Sequence, residues 1–412
     1  MISFVGVLVP GAASGGLFAK LYSCPGRTKL PRAAYAMADA QVLCFRCAEP
    51  RVGQGACARC KMPYCGRACQ KADWQFTHRQ LCDFVRTADS RAAEAASAAV
   101  AACKGDVVRG ASCYICLTGG PGLVRGCACR GDAGYAHVRC LVRAEAELSG
   151  NGDHCAGQCP TCRQFYHGAV RLAVAWGDWR ANSREATLGH ITAAGQLAMA
   201  LRECNHHDDA LVLMRCKIIM QKKLVDRSGG NDLADMEFQL LRDQCNFANI
   251  LRDVGKEEEA CSLTRQNFTQ FKRLRGMEDC DTLTTALNLA NYLKQAKKFR
   301  EARDLLEETV PIMRKVLGSH PTTISSIVTL ADLMVSCEFM VPEDITEMKP
   351  QAVSIETCRA AAKLYDEAYA SSRRLFGDDH PETRENMQRA KGLRAMFEQQ
   401  GISLEPEAPH PA

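Results

Sequence analysis

The 412 residues predict a mainly α protein: a repetitive helical solenoid preceded by two small metal-stabilised modules. Three observations carry that expectation. Cysteine is abundant, at 24 residues, and concentrates before residue 165 as close pairs interleaved with histidine. From about 187 to 400, apolar residues recur at helical spacing and the sequence repeats itself. The hydrophobic share of 47% is ordinary for a folded chain, and aromatics are sparse at 6%.

The length admits two to four domains with at least one substantial core. A net charge of +5 is mild for 412 residues and does not by itself imply a nucleic-acid or membrane partner. Cysteines in tight CxxC pairs beside histidines suit metal better than a disulfide framework, which points to the reducing cytoplasm or nucleus. The start, MISFVGVLVPGAASGGLFAKLYSC, is apolar and free of acid until Asp39, with Lys20, Arg27, Lys29 and Arg32 following its apolar run. A signal peptide carries its positive charge before that run. Glycine and proline break it short of the ~20 apolar residues a spanning helix needs. Residues 1–40 therefore read as a disordered or leader segment, with organelle targeting left open and no membrane partner expected.

The first module is CFRCAEPRVGQGACARCKMPYCGRACQKADWQFTHRQLC, residues 44–82. Its candidate ligands are Cys44, Cys47, Cys57, Cys60, Cys65, Cys69, His78 and Cys82. Seven thiolates and one imidazole make two closed tetrahedral zinc sites, the arrangement of structural zinc. A CxxC pair supplies two ligands from one turn, whereas CxxxC and HxxxC place theirs on one face of a short helix. A segment this small cannot bury an adequate core, so the metal supplies much of its folding energy.

In order, spacing and the stretch CQKADW (Cys69 to Trp74) this segment resembles a MYND finger. The resemblance implies interleaved ligation, with Cys44, Cys47, Cys65 and Cys69 at one zinc and Cys57, Cys60, His78 and Cys82 at the other. It also implies binding of proline-containing peptides without catalysis; nothing here is similar to the SET domain that surrounds such fingers in lysine methyltransferases. Arg46, Arg51, Arg59, Lys61, Arg67, Lys71 and Arg79 face only Glu49 and Asp73, so the surface is basic. It reads as a solvated face or, less readily, as a nucleic-acid surface. Only Tyr64, Trp74 and Phe76 are interleaved for stacking, and nucleic acid is not expected as a partner.

Residues 83–108 read as a linker carrying an alanine-rich helix, with Cys103 outside the metal count. The second set follows as Cys113, Cys116, Cys127, Cys129, His137, Cys140, Cys159 and Cys162. Both RING-CH and PHD fingers have four cysteines, a histidine and three cysteines in that order. The short pair Cys127-Ala-Cys129, Gly157 two residues before Cys159, the gap from Cys129 to His137 and the run CRGDAGYAHVRCL make residues 109–167 similar to RING-CH.

That resemblance implies a cross-brace: Cys113, Cys116, His137 and Cys140 on one zinc, Cys127, Cys129, Cys159 and Cys162 on the other, about four ions per chain in all. His154 and Cys155 are read as bystanders. Such fingers form no covalent intermediate; they hold a ubiquitin-conjugating enzyme and its ubiquitin in a reactive pose. Carried onto this sequence, the contacts are Ile115 inside the first pair, Pro160 inside the last and Arg163 after the last ligand. Mini-core, turn former and solvated charge are the alternatives for these three. Ala144 stands where many relatives carry a tryptophan, and losing such an anchor should weaken the enzyme contact.

The helical half aligns with itself. NFANILRDVGKEEEA from Asn246 matches NLANYLKQAKKFREA from Asn288, an offset of 42 residues. RLRGMEDCDT and KVLGSHPTT follow at that offset, RLFGDDHPET ends a further copy, and QLAMALRECNHHDDA (196–210) is an earlier one. Ala248, Ala290, Ala260 and Ala302 fall where paired helices cross closely, and stacked copies bury a continuous core. The period and the LGxxHPxT ending resemble the tetratricopeptide repeats of kinesin light chains. The array is read over 187–400 with an insertion near 340–357, a capping helix over 383–400 and a tail over 401–412. Pro311 is expected to kink its helix. His320-Pro321 and His380-Pro381 read as turn punctuation. Asn246, Asn249, Asn288 and Asn291 recur on the face that lines the groove in such arrays, where asparagine pairs with a peptide backbone; solvated or inter-repeat hydrogen bonds are the alternative.

The sequence thus predicts a tetratricopeptide-type helical solenoid preceded by two small zinc-stabilised modules. Two functional readings remain open: a soluble ubiquitin-protein ligase whose MYND and repeat domains bind substrate peptides, favoured by Ile115, Pro160 and Arg163, and a non-enzymatic peptide-binding adaptor, favoured by Ala144. A chromatin or nucleic-acid regulator has less support. No GxGxxG, P-loop or hydrolase elbow is present to support another enzyme class.

Overall fold

The computed structural model describes residues 44–47, 55–108, 110–129, 131–148, 157–184, 188–226, 233–339, 354–399 and 402–404. The leader, His154, Cys155, Arg51 and most of the insertion near 340–357 lie outside them. The chain forms two compact units, one within residues 27–263 and one within 264–412.

In the first unit, α1 (Arg67–Asp73), a π-helical turn (Trp74–His78) and α2 (Arg79–Arg86) close the first finger. Helix α3 (Ala88–Cys103) follows, then the second finger with β1 (Leu123–Val124), a 3-10 turn (Gly131–Gly134), β2 (Ala136–His137) and α4 (Val138–Leu148). The strands pair antiparallel, Leu123 with His137 and Val124 with Ala136. Helices α5 (Gly168–Asn182), α6 (Leu188–Glu203), α7 (His207–Val225) and α8 (Leu233–Asp253) complete the unit, and α9 (Glu257–Arg275) runs through its end.

The stretch read as a linker is packed. Helix α3 buries Ala88, Ala92, Ala95, Ala99 and Cys103, about one side chain per turn, and lies along α5 as closely as α6 lies along α7. Small side chains let the two backbones approach, so α3 needs no large apolar residues. The second finger is thereby inserted between two helices that pack on each other. Cys103 faces it: its sulfur lies 3.5 Å from Arg125 N and 3.6 Å from Arg125 O. Cys44 to Ile250 contribute to a single buried core, so both fingers and helices α3, α5, α6 and α7 fold as one body.

The second unit continues with α10 (Cys280–Gln295), α11 (Phe299–Leu317), α12 (Pro321–Phe339), α13 (Ile355–Phe376) and α14 (Pro381–Glu398), each packed on the next. Ala248, Ala260, Ala290 and Ala302 are all buried. The repeat is visible in its caps. Asn205, Gly255 and Lys297 take left-handed conformations after α6, α8 and α10. The N–H of the next residue then donates to Leu201, Leu251 and Leu293 carbonyls at 2.9, 2.8 and 2.8 Å, the Schellman arrangement. His320 and His380, read as punctuation, cap helices: their Nδ1 atoms accept from Thr322 N at 3.2 Å and Glu382 N at 3.3 Å, with proline following each. Pro311 lies within an unbroken α11.

Candidate zinc centres

Sixteen side chains converge as four tetrads: Cys44, Cys47, Cys65 and Cys69; Cys57, Cys60, His78 and Cys82; Cys113, Cys116, His137 and Cys140; Cys127, Cys129, Cys159 and Cys162. Within each, all ligand atoms lie within 4.8 Å of one another. A tetrahedral zinc with Zn–S near 2.3 Å sets sulfurs about 3.8 Å apart. The Sγ–Sγ distances are 3.6 Å for Cys47–Cys65, 4.0 Å for Cys57–Cys82 and 3.7 Å for Cys129–Cys159. His78 presents Nε2 at 3.4 Å from Cys60 Sγ, and His137 presents Nδ1 at 3.4 Å from Cys116 Sγ and 3.9 Å from Cys140 Sγ. The donor sets fit zinc, and the tetrads interleave along the chain in both fingers.

Three CxxC pairs are built alike. In each, the N–H after the second cysteine donates to the first cysteine's carbonyl: Lys61 to Cys57 at 2.9 Å, Leu117 to Cys113 at 2.8 Å and Arg163 to Cys159 at 2.9 Å. Those three residues are left-handed, with φ of 66°, 58° and 59°. Short bridges, Ala56 with Pro63, Ser112 with Gly119 and Gln158 with Phe165, close each turn. The turn aims both sulfurs inward, and backbone N–H groups favour thiolate at one cysteine of each pair, Cys57, Cys116 and Cys162, whereas burial pushes the Cys60 thiol up. Burial works to raise the Cys44 thiol, but N–H groups of Cys47, Cys65 and Arg46 outweigh it and bring it down to about 7. The Thr118 hydroxyl and backbone bring Cys116 to about 6. Burial, then the neighbouring Cys44 thiolate, pushes Cys69 up to about 12, and burial pushes Cys140 to about 11. Burial lowers the His78 pKa, which keeps the imidazole neutral as a ligand must be.

The expected enzyme contacts lie on the second finger's knuckles. Ile115 is 37% exposed, Pro160 is half-buried and Arg163 is exposed at the left-handed position. Two exposed apolar residues join them: Leu117 at 79% and Phe165 at 40%, the latter beneath the Arg171 guanidinium at 5.4 Å. Leu117 directly follows a CxxC pair, a signal that marks an outward turn position. Ala144 is half-buried on α4. Of the asparagines, Asn249 and Asn288 are buried while Asn246 and Asn291 are half-buried, on α8 and α10 respectively.

Against known proteins, residues 44–82 match the family model of the MYND finger. Residues 282–322 and 358–382 match that of the tetratricopeptide repeat. No curated protein matches the chain. Among solved structures, nearly identical TPR-like repeats of a Podosopora anserina protein assigned to the kinesin light chains share 20% identity at a TM-score of 0.38, covering 51% of this chain and 90% of that one. BtubC (BKLC) from P. vanneervenii shares 15% at 0.34, covering 66% of this chain and 96% of that one. The chain carries a MYND finger and tetratricopeptide repeats, binds zinc, and is built for protein interaction.

Proposed function

We propose that the chain is a ubiquitin-protein ligase in which residues 109–167 form a RING-CH finger that recruits a ubiquitin-conjugating enzyme charged with ubiquitin. The carrying observation is the pair of interleaved tetrads with Ile115 and Leu117 turned to solvent on the first knuckle. An exposed apolar pair on a metal-rigidified turn costs solubility and suits a docking surface. Pro160 and Arg163 on the last knuckle extend the contact. No covalent chemistry is asked of the chain: zinc holds the knuckles in place, and the finger supplies orientation. The insertion of this finger between α3 and α5 fixes it to the core it shares with the MYND finger, so a substrate bound at that finger would be presented at a constant geometry.

Substrate selection is assigned to peptide segments, proline-containing ones at the MYND finger and extended ones at the repeats. Asn246 and Asn291, half-buried, are the asparagines proposed to contact peptide, each in its own unit; Asn249 and Asn288 are buried. No described helix is long and apolar enough to cross a membrane, and the ligase is assigned to cytoplasm or nucleus on its paired metal-ligating cysteines.

The test is autoubiquitylation by the zinc-loaded protein across a panel of conjugating enzymes, beside Ile115→Ala. Chains that form with the wild type and fade at least tenfold with the variant support the ligase. The second reading, an adaptor without ligase activity, is favoured by Ala144, which leaves α4 without a large anchor. About four bound zinc ions with no discharge by any enzyme would select it.

A further inference from the structure

The first finger ends in one continuous helical rod, formed by α1, the π turn and α2 over residues 67–86. Of the residues exposed along it, Arg67, Lys71, Gln75, Arg79, Asp83 and Arg86 follow one line while Ala68 and Gln80 lie off it, and Asp73, His78, Leu81, Cys82 and Val85 are buried. At 100° per residue an unbroken α-helix would swing the exposed stripe by about 120° between Lys71 and Asp83. The π turn, at about 4.4 residues per turn, takes back about 90° of that rotation. All six residues then fall within a strip about 70° wide. The same turn sets His78 on the side of Cys82, so the geometry that completes a zinc tetrad also straightens the stripe.

The stripe is mainly basic, with Arg67, Lys71, Arg79 and Arg86 against Asp83. Its only carboxylate, Asp83, is shared by Arg86 at 3.3 Å and by Arg59 of the adjoining knuckle at 3.6 Å. Arg67, Lys71 and Arg79 meet no carboxylate among the described residues. Positions four residues apart on a helix stand about 6 Å apart, and Arg67, Lys71 and Arg79 hold the first, second and fourth of them, with Gln75 third and Asp83 fifth. Same-face side chains of an extended strand recur at about 6.6 Å. The two spacings match over about eight peptide residues, which span the roughly 28 Å of the rod.

We propose that this stripe docks an extended acidic protein segment carrying aspartate or glutamate at alternate positions. The spacing and the unopposed charge favour it. A nucleic acid fits less well: Trp74 is half-buried and Tyr64 buried, both off the stripe, so no described aromatic is offered to bases. The four or five cations are also fewer than the roughly six to ten phosphate contacts of a typical duplex-binding surface.

The test is fluorescence anisotropy on the zinc-loaded full chain with three labelled probes. The first is a short peptide in which glutamate and serine alternate. The second has the same composition, with all its glutamates in one block and all its serines in another. The third is a single-stranded oligonucleotide of equal charge. The alternating peptide should bind best, weaken as salt rises, and lose about tenfold in affinity in a Lys71→Gln, Arg79→Gln double variant. A charge-reversed Lys71→Glu, Arg79→Glu variant should lose more, and equal zinc content across the variants shows that the fold is kept. Preference for the oligonucleotide, indifference between the two peptides, or binding unchanged in both variants would each overturn the proposal.

Discussion

Phe45 of the first finger stands edge-on to His190 of α6, ring centroids 5.2 Å apart at 80°, while Trp179 of α5 lies 4.9 Å from the same imidazole. Nearby, the Trp179 indole donates to the Phe84 carbonyl at 3.3 Å, and Phe84 stacks on Trp176 at 6.2 Å. The MYND finger is therefore seated on α5 and α6 through a largely aromatic joint. Such a joint is largely apolar, with the Arg91 guanidinium over Phe84 and Trp176, and His190 is the titratable ring between Phe45 and Trp179.

That ring makes the joint acid-sensitive. Burial pushes the His190 pKa down to about 4. Above the ordinary value near 6.5, folded and unfolded states both hold a neutral imidazole and no penalty arises. As pH falls toward 4, the unfolded chain binds a proton that the folded joint refuses, and stability is lost by about 2 kcal/mol by pH 5. Thermal unfolding of zinc-saturated protein between pH 7.5 and 5 should show a steeper fall for the wild type than for His190→Phe. Zinc ligands protonate in both proteins, so parallel curves would remove His190 as the cause.

Chelation should reach beyond the fingers. The four tetrads share a buried core with α3, α5, α6 and α7, and the three tryptophans, Trp74, Trp176 and Trp179, all lie in that unit. Removing zinc leaves crowded thiols around each centre and takes away the folding energy that small modules lack. Tryptophan emission should shift to the red as zinc leaves, with helical circular dichroism falling only in part, because α10 to α14 belong to the other unit. Unchanged emission after complete zinc loss would show that the helices hold the joint unaided.

The tetrads were legible because ligand spacing is local: a CxxC turn or an HxxxC helix face brings its two atoms together whatever the rest does. The helical repeats were legible for the same reason, their apolar period and Gly or His-Pro punctuation being written within each copy. Long-range packing was not. Helix α3 shows alanines without large apolar residues, which reads as a linker until α5 is found against it. Residues 168–182 carried no repeat signature, and His190 gave no sign that it would face Phe45. The exposure of Leu117 and Phe165 depends on which side of each knuckle meets the helices, a tertiary outcome.

Leu117 allows docking to be separated from stability. Its φ of 58° costs an ordinary side chain about 1–2 kcal/mol, and its side chain is 79% exposed. Leu117→Gly should relieve the strain, offset in part by the extra backbone entropy of glycine in the unfolded chain. Zinc content and melting temperature are expected to stay level or rise slightly. Ubiquitin discharge should nonetheless fall severalfold if the knuckle meets the conjugating enzyme. Full discharge by a well-folded Leu117→Gly protein would confine the contact to Ile115 and the last knuckle.

Gly177 and Val142 test how rigidly the second finger is held. Helix α5 passes α4 so closely that a Cβ added at Gly177 would overlap the Val142 side chain, and one added at Gly126 would stand 2.5 Å from Val170 Cγ1. Alanine is otherwise the better helix former by about 1 kcal/mol, so Gly177→Ala should stabilise an unpacked helix. Here the overlap dominates, and a net loss of about 1–2 kcal/mol is expected, a fall of several degrees in the melting temperature of the amino-terminal unit. Val142→Ala alone should also destabilise, by leaving a void. Together they should cost less than the sum, because the methyl added at Gly177 fills the space the valine vacates. Strict additivity would mean that the finger yields at this contact, and the fixed presentation of substrate argued from its insertion between α3 and α5 would then fail with it.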